Sequence, residues 1–91
     1  MDFEWDLAKS QRNEAERGLP FELAVLLFEG PLIERVDDRQ PYGEIRLRAI
    51  GEVEQVILHC VYTMRGGVRR IISLRYASGK ERDAYRATYP G

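Results

Sequence analysis

The side chains able to do chemistry gather in the second half of the chain. His59 is its only histidine, and imidazole is the side chain whose ordinary proton affinity lies near neutrality. Arg75 brings a permanent cation, and Glu81 and Tyr85 follow it. Arg46, Arg48, Arg69 and Arg82 surround them in sequence. Such a set suits a phosphate ester. Guanidinium groups pair with phosphate oxygens and stabilise charge growing at phosphorus, while an imidazole, carboxylate or phenol moves protons. Each residue has a plainer role as well. Glu81 stands three residues after Ser78, the spacing of a capping box. Tyr85, one turn on, suits packing against a sheet. His59 has apolar neighbours on both sides, where an imidazole often serves as a hydrogen-bonded part of the core. Ser73 has no histidine close in sequence, so a serine nucleophile gains no support.

The net charge of −1 hides an asymmetry. Residues 1–38 hold four Lys/Arg against ten Asp/Glu, whereas residues 39–91 hold ten against five. The second half is therefore expected to build a basic surface able to meet a polyanion. Solvated charge that happens to segregate is the alternative. Lys9 and Asn13, one helical turn apart, share a face of the first helix and could either touch such a polyanion or simply be solvated.

Composition narrows the classes. Ninety-one residues suit one domain, 1–91, with one modest core. A hydrophobic share of 44% and a charged share of 32% fit a globular rather than a disordered chain. Cys60 is the only cysteine, so neither an intrachain disulfide nor a multi-cysteine zinc site is available, and no metal or cofactor is expected. The acidic start, Met1-Asp2-Phe3-Glu4-Trp5-Asp6, lacks the basic and apolar build of a signal peptide. No apolar run approaches a membrane span. A cytoplasmic location away from membranes is the expectation.

The elements that must position these residues follow from period and caps. Met1–Trp5 alternates and predicts a first strand, and Asp6 caps a helix over 7–17 that Gly18 closes. Pro20 suits the first turn of a second helix carrying Phe21, Ala24, Val25, Leu27 and Phe28, ended by Gly30-Pro31. The period then falls to two. Leu32–Asp37, Glu44–Ile50, Val56–Thr63 and Val68–Tyr76 predict four strands, joined by a loop over 38–43, a hairpin over 51–55 and a turn at Gly66-Gly67. Ser78 then starts a third helix that runs to about Ala87. The order β-α-α-β-β-β-β-α predicts an α+β fold, an antiparallel meander with helices on one face.

The other face should hold the surplus polar side chains. Alternation puts Arg46 and Arg48 there, with His59 and Thr63 from the next strand. From the last strand it adds Ser73 and Arg75, with Ile71 and Arg69 in phase. Leu58, Cys60 and Tyr62 point the other way. That face would be an electropositive patch suited to RNA phosphates, although arginines at alternate strand positions also simply keep a sheet face solvated.

Placed in this order, the motifs resemble those of the BrnT toxins. Phe3-Glu4-Trp5-Asp6, Lys9, Asn13, Gly18, Phe21-Glu22 and Ala24 are similar to that family's N-terminal frame. Gly43-Glu44, Arg46, Ile50-Gly51, Val61-Tyr62-Thr63 and Arg65 follow in order. Arg70-Ile71-Ile72-Ser73, Arg75, Ala77-Ser78, Glu81-Arg82 and Tyr85 are similar to its C-terminal frame. Each motif is short, but the ordered set covers nearly the whole chain. One departure stands out: the basic pair, often Lys-His, before the glycine is Glu16-Arg17 here.

The resemblance implies a RelE-like fold and a ribonuclease toxin that cleaves RNA without a ribosome. It further implies neutralisation by a BrnA-like ribbon-helix-helix antitoxin, with DNA bound only through that partner and a homodimer assembled within the complex. In such an enzyme Arg75 would stabilise the phosphorane, and Arg46, Arg48, Lys9, Arg69 and Arg82 would hold flanking phosphates. Glu81, Tyr85 and His59 are the candidates for moving protons. A binding module without catalysis, or an inactive relative that only docks an acidic antitoxin segment, is the alternative from a different class.

Overall fold

A computed structural model describes residues 1–91. Its elements are β1 (Asp2–Trp5), α1 (Leu7–Arg17), α2 (Leu23–Leu27), β2 (Leu32–Asp37), β3 (Arg46–Val53), β4 (Val56–Arg65), β5 (Val68–Tyr76) and α3 (Gly79–Thr88). This is the α+β order that the sequence predicts. The four later strands form the expected antiparallel meander, and β1 joins β5 in parallel, so the five-stranded sheet β1-β5-β4-β3-β2 is mixed.

The helix ends follow local chemistry. The Asp6 side chain accepts from the Lys9 amide, and Gly18 takes the left-handed conformation (φ 72°) that closes α1. Ser78 and Glu81 form a complete capping box on α3. The second helix is shorter than its apolar stretch predicts. Residues 20–22 form a tight turn in which the Phe21 amide donates to the Ser10 hydroxyl of α1, so the backbone is tied down before a full helical turn can begin.

Strand ends also differ from expectation. β3 begins at Arg46, not Glu44, because the Thr63 hydroxyl of β4 donates to the Ile45 carbonyl and closes the ladder there. Ile45, outside the strand, is 71% exposed, whereas Ala49 within it is fully buried. Gly51 to Val53 belong to the strand, and the hairpin narrows to Glu54-Gln55, both with positive φ. Two positive-φ residues match the twist of a two-residue hairpin. Gly51 is required for another reason: a Cβ there would stand 2.9 Å from Leu32 and 3.0 Å from Leu27, so α2 packs directly on the strand backbone.

Helices cover both faces of the sheet, not one. On the first face α2 and the Leu19–Phe21 segment before it cover the main core, which includes Leu27, Ala49, Leu58, Cys60, Tyr62, Ile71 and Leu74, while α1 contributes no residue to it. On the second face α3 lies across one end only, where Tyr85 packs with Ile57 and Ala77 beside Ile33, Ile50 and Tyr89. The chain leaves β5 through Ala77, whose amide donates to the Ile57 carbonyl and whose side chain packs with Ile57 and Tyr85, so α3 starts on the second face.

A register shift in β5 corrects the expected alternation. Val61 pairs with Ser73 but Tyr62 pairs with Ile71, so Ile72 is an extra residue on β5. A bulge of one residue reverses the facing of everything beyond it. Ile71 and Arg69 therefore lie on the α2 face, while Ser73 and Arg75 lie on the other. Beyond β1, the edge of β5 is closed by Asn13, whose side-chain amide donates to the carbonyls of Leu74 (2.9 Å) and Leu19 (2.7 Å). Asn13 is buried, so it fastens α1 to the sheet rather than facing solvent with Lys9.

Candidate active site

The second face is the polar one. Cross-strand pairing sets Arg48 opposite Val61 and Arg35, Ile50 opposite His59 and Ile33, and Arg75 opposite His59. His59 is thus the centre of a row running from Ile33 on β2 to Arg75 on β5. It is 2% exposed, and neither ring nitrogen has a hydrogen-bond partner. The nearest carboxylate oxygen, from Glu81, stands 3.9 Å from its Nε2.

Glu81 is shared by three elements. Its carboxylate accepts from the Ser78 amide at 2.8 Å in the capping box and from Arg75 through two parallel N–H bonds of 2.9 and 3.0 Å. The capping box therefore does more than start a helix: it aims Glu81 at Arg75 from the first turn of α3. Hydrogen bonding by Arg75 holds the Glu81 carboxyl down at about 2, so it is ionised at neutral pH. Burial, with the positive field of Arg75 next, pushes the His59 imidazole down to about 4, so it is neutral. Lying side by side are a fixed guanidinium–carboxylate pair and an uncharged imidazole with both nitrogens free.

A cavity of about 200 Å³ opens beside His59 and Glu81, with Arg75 outside its lining. Arg35, Arg48, His59, Lys80 and Glu81 supply its polar wall, and Ile33, Ile50 and Ala84 its apolar one. Sequence reasoning missed Arg35 and Lys80. The loop between β2 and β3 is too long to imply a register, so nothing local set Arg35 opposite Arg48. Lys80 reads only as the start of a helix until α3 is known to fold over this face.

The other candidates are dispersed. Arg46 lies past Arg48, its guanidinium 4.1 Å from the Tyr42 ring centre and 3.4 Å from Glu44. Arg69 is on the opposite face, 3.8 Å from the Phe28 ring centre and near Phe3 and Tyr62. Arg82 donates to the Ala77 carbonyl at the end of β5. Lys9 borders a separate cleft with Arg12, Glu16, Arg17 and Ser73. The Tyr85 hydroxyl donates to the Pro31 carbonyl at 3.0 Å, and its ring belongs to the α3 core. Neither residue of the Glu16-Arg17 pair lines the His59 cavity. No group of three or more His, Cys, Asp and Glu side chains is arranged to hold a metal ion, and no helix is long and apolar enough to cross a membrane.

Fold and site together define a small α+β protein with a cationic sheet face and a neutral, buried imidazole beside an arginine–carboxylate pair. The family model described as "Ribonuclease toxin, BrnT, of type II toxin-antitoxin system" matches residues 5–81, and the chain belongs to that family. The match takes in His59, Arg75 and Glu81 and stops before Arg82 and Tyr85. No curated protein matches the chain. Membership makes it a toxin of a toxin–antitoxin pair in a ribonuclease family, a class defined by an RNA target and an antitoxin partner.

Proposed function

We propose that the chain is an endoribonuclease that cuts RNA without a metal ion, with its reacting phosphate between His59 and Arg75, which face each other across β4 and β5. The carrying observation is the buried His59 ring, free at both nitrogens and 3.9 Å from the carboxylate that grips Arg75. Cleavage of RNA by its own 2′-hydroxyl needs a proton acceptor, cationic support for the phosphorane and a proton for the leaving oxygen. Neutral His59 accepts the proton from the 2′-hydroxyl. Arg75, oriented by Glu81, stabilises the extra charge on the phosphorane. Solvent protonates the leaving 5′-oxygen. Glu81 is ionised and doubly engaged, so it positions Arg75 and does not donate a proton. Tyr85 anchors α3 through Pro31. Arg46 holds a phosphate further along the strand.

Cutting of messenger RNA would stop translation and growth in the cytoplasm. The partner in this reading is a BrnA-like ribbon-helix-helix antitoxin, with DNA contacted through that partner alone. The test uses purified chain, free of partner, incubated with RNA in excess chelator. Cleavage is expected, together with growth arrest on expression that the protein encoded by the neighbouring reading frame relieves. Intact RNA under these conditions would overturn the enzymatic assignment.

A further inference from the structure

Three cations around the cavity have no partner. Arg35 and Arg48 face each other directly across β2 and β3. Like charges opposite one another destabilise a sheet, yet neither forms an ion pair, and nor does Lys80. The Arg48 Nε is buried without a hydrogen-bond partner, as are both nitrogens of His59. A buried donor without an acceptor is costly and calls for an explanation. Glu81 is the only carboxylate in the lining, and it is already bound by Arg75 and the Ser78 amide. Lys80 rides on the first turn of α3, where free backbone N–H groups and the helix dipole also favour an anion.

We infer that this cavity is a seat for a second phosphate group of the polynucleotide, flanking the reacting one and gripped by Arg35, Arg48 and Lys80 beside His59. The inference rests on the ribonuclease reading and adds to it a subsite that its chemical step does not require. Its volume, about 200 Å³, far exceeds the roughly 15 Å³ that one water needs. The apolar side chains of Ile33, Ile50 and Ala84 form one wall, and apolar surroundings strengthen charge contacts made beside them. The seat also acts on the proton acceptor. The charged groups facing His59 are Arg75 from β5, Arg48 from β3, Arg39 from the β2–β3 loop and Glu81 from α3, with Arg35 and Lys80 at the cavity rim. Cations outnumber the single carboxylate, and their field helps hold the imidazole neutral. A seated phosphate cancels part of that field, so His59 becomes a stronger base when substrate is present.

The single histidine makes the test direct. Proton NMR of the His59 imidazole is followed while the full chain is titrated first with inorganic phosphate and then with a short RNA whose 2′-hydroxyls are methylated to block cleavage. Both ligands are expected to shift the imidazole signal saturably and to raise its titration midpoint by about one pH unit or more. Arg35→Ala should weaken phosphate binding about tenfold, the value of a charged hydrogen bond, and Lys80→Ala should weaken it less. Arg35 and Lys80 are exposed, so both variants should keep the wild-type amide spectrum. An imidazole signal unmoved by phosphate, or Arg35→Ala binding as tightly as wild type, overturns the seat. Response to inorganic phosphate but not to the RNA overturns its assignment to a polynucleotide. Saturable phosphate binding without cleavage of unmodified RNA leaves the seat standing and sinks the ribonuclease reading; cleavage without any phosphate response does the reverse.

Discussion

The two faces of this sheet come from the same strands and meet opposite fates. On the α2 face the apolar set of β3, β4 and β5 is enclosed, and even its arginine, Arg69, lies against aromatic rings. On the other face α3 closes one end and leaves arginines, His59 and a cavity beyond it. Arg69 and Arg75 sharpen the contrast. They sit six residues apart on one strand, an even spacing that should align them, and the extra residue Ile72 sends them to opposite faces. One face holds the fold together. Each face keeps one buried arginine Nε without a hydrogen-bond partner, Arg69 on the first and Arg48 on the second, but only the second adds a buried imidazole free at both nitrogens and a cavity above it, and that combination marks a working surface.

The largest expected effect breaks the enclosed face. Leu74 is fully buried in the main core, so Leu74→Ala should lower unfolding stability by roughly 2–5 kcal/mol. Chemical denaturation measures it, and a change under roughly 1 kcal/mol would show that the core tolerates the void.

Next comes the pair of arginines. Arg75→Ala should cut RNA cleavage by about 10²–10³-fold at unchanged folded fraction, because it removes a cation aimed at the developing charge. Arg69→Ala, on the other face, should leave the cleavage rate of the folded protein near wild type. Equal losses in the two variants would erase the distinction between the faces, and retained cleavage in Arg75→Ala would remove its assigned role.

A smaller effect concerns acid. The native His59 imidazole titrates at about 4, below its ordinary 6.5. Between those values the unfolded chain binds a proton that the native state refuses. Stability is therefore complete above pH 6.5 and falls as pH drops towards 4, by at most on the order of 3 kcal/mol. Glu81, held at about 2 against an ordinary 4.5, adds a second loss between those values. His59→Gln should abolish the first window and keep the second. The stability–pH curve reads this, and a variant curve parallel to wild type from pH 6.5 to 4 would rule out a buried neutral imidazole.

The smallest effect is at the rim. Arg46 is already engaged with Tyr42 and Glu44. Arg46→Ala should weaken RNA binding modestly and reduce the slope of log affinity against log salt by about one. An unchanged slope would place RNA elsewhere.

How much of this was legible before folding depends on how local each cause is. Asp6, Gly18, Gly66-Gly67 and the Ser78–Glu81 box act within a few residues, and the elements they bound lie where the sequence predicts them. Alternation correctly sent Arg46, Arg48, His59 and Arg75 to one face, since each strand carries its own period. It failed for Arg69 and Ile71, because a bulge answers to the partner strand and has no signature of its own in Arg70-Ile71-Ile72-Ser73. Asn13 read as a surface polar residue because its acceptor, the Leu74 carbonyl, is 61 positions away.

The sequence alone thus determined the order of elements, their caps and the basic character of the second half, all of which depend on neighbours in the chain. Only the tertiary structure decided that α3 crosses to the second face, that Glu81 grips Arg75 while it keeps its cap, and that Arg35 and Lys80 join Arg48 around the His59 cavity. Those outcomes depend on strand register and on where a helix lands after its strand ends. They are set by packing among distant residues, which no local pattern of residue types encodes.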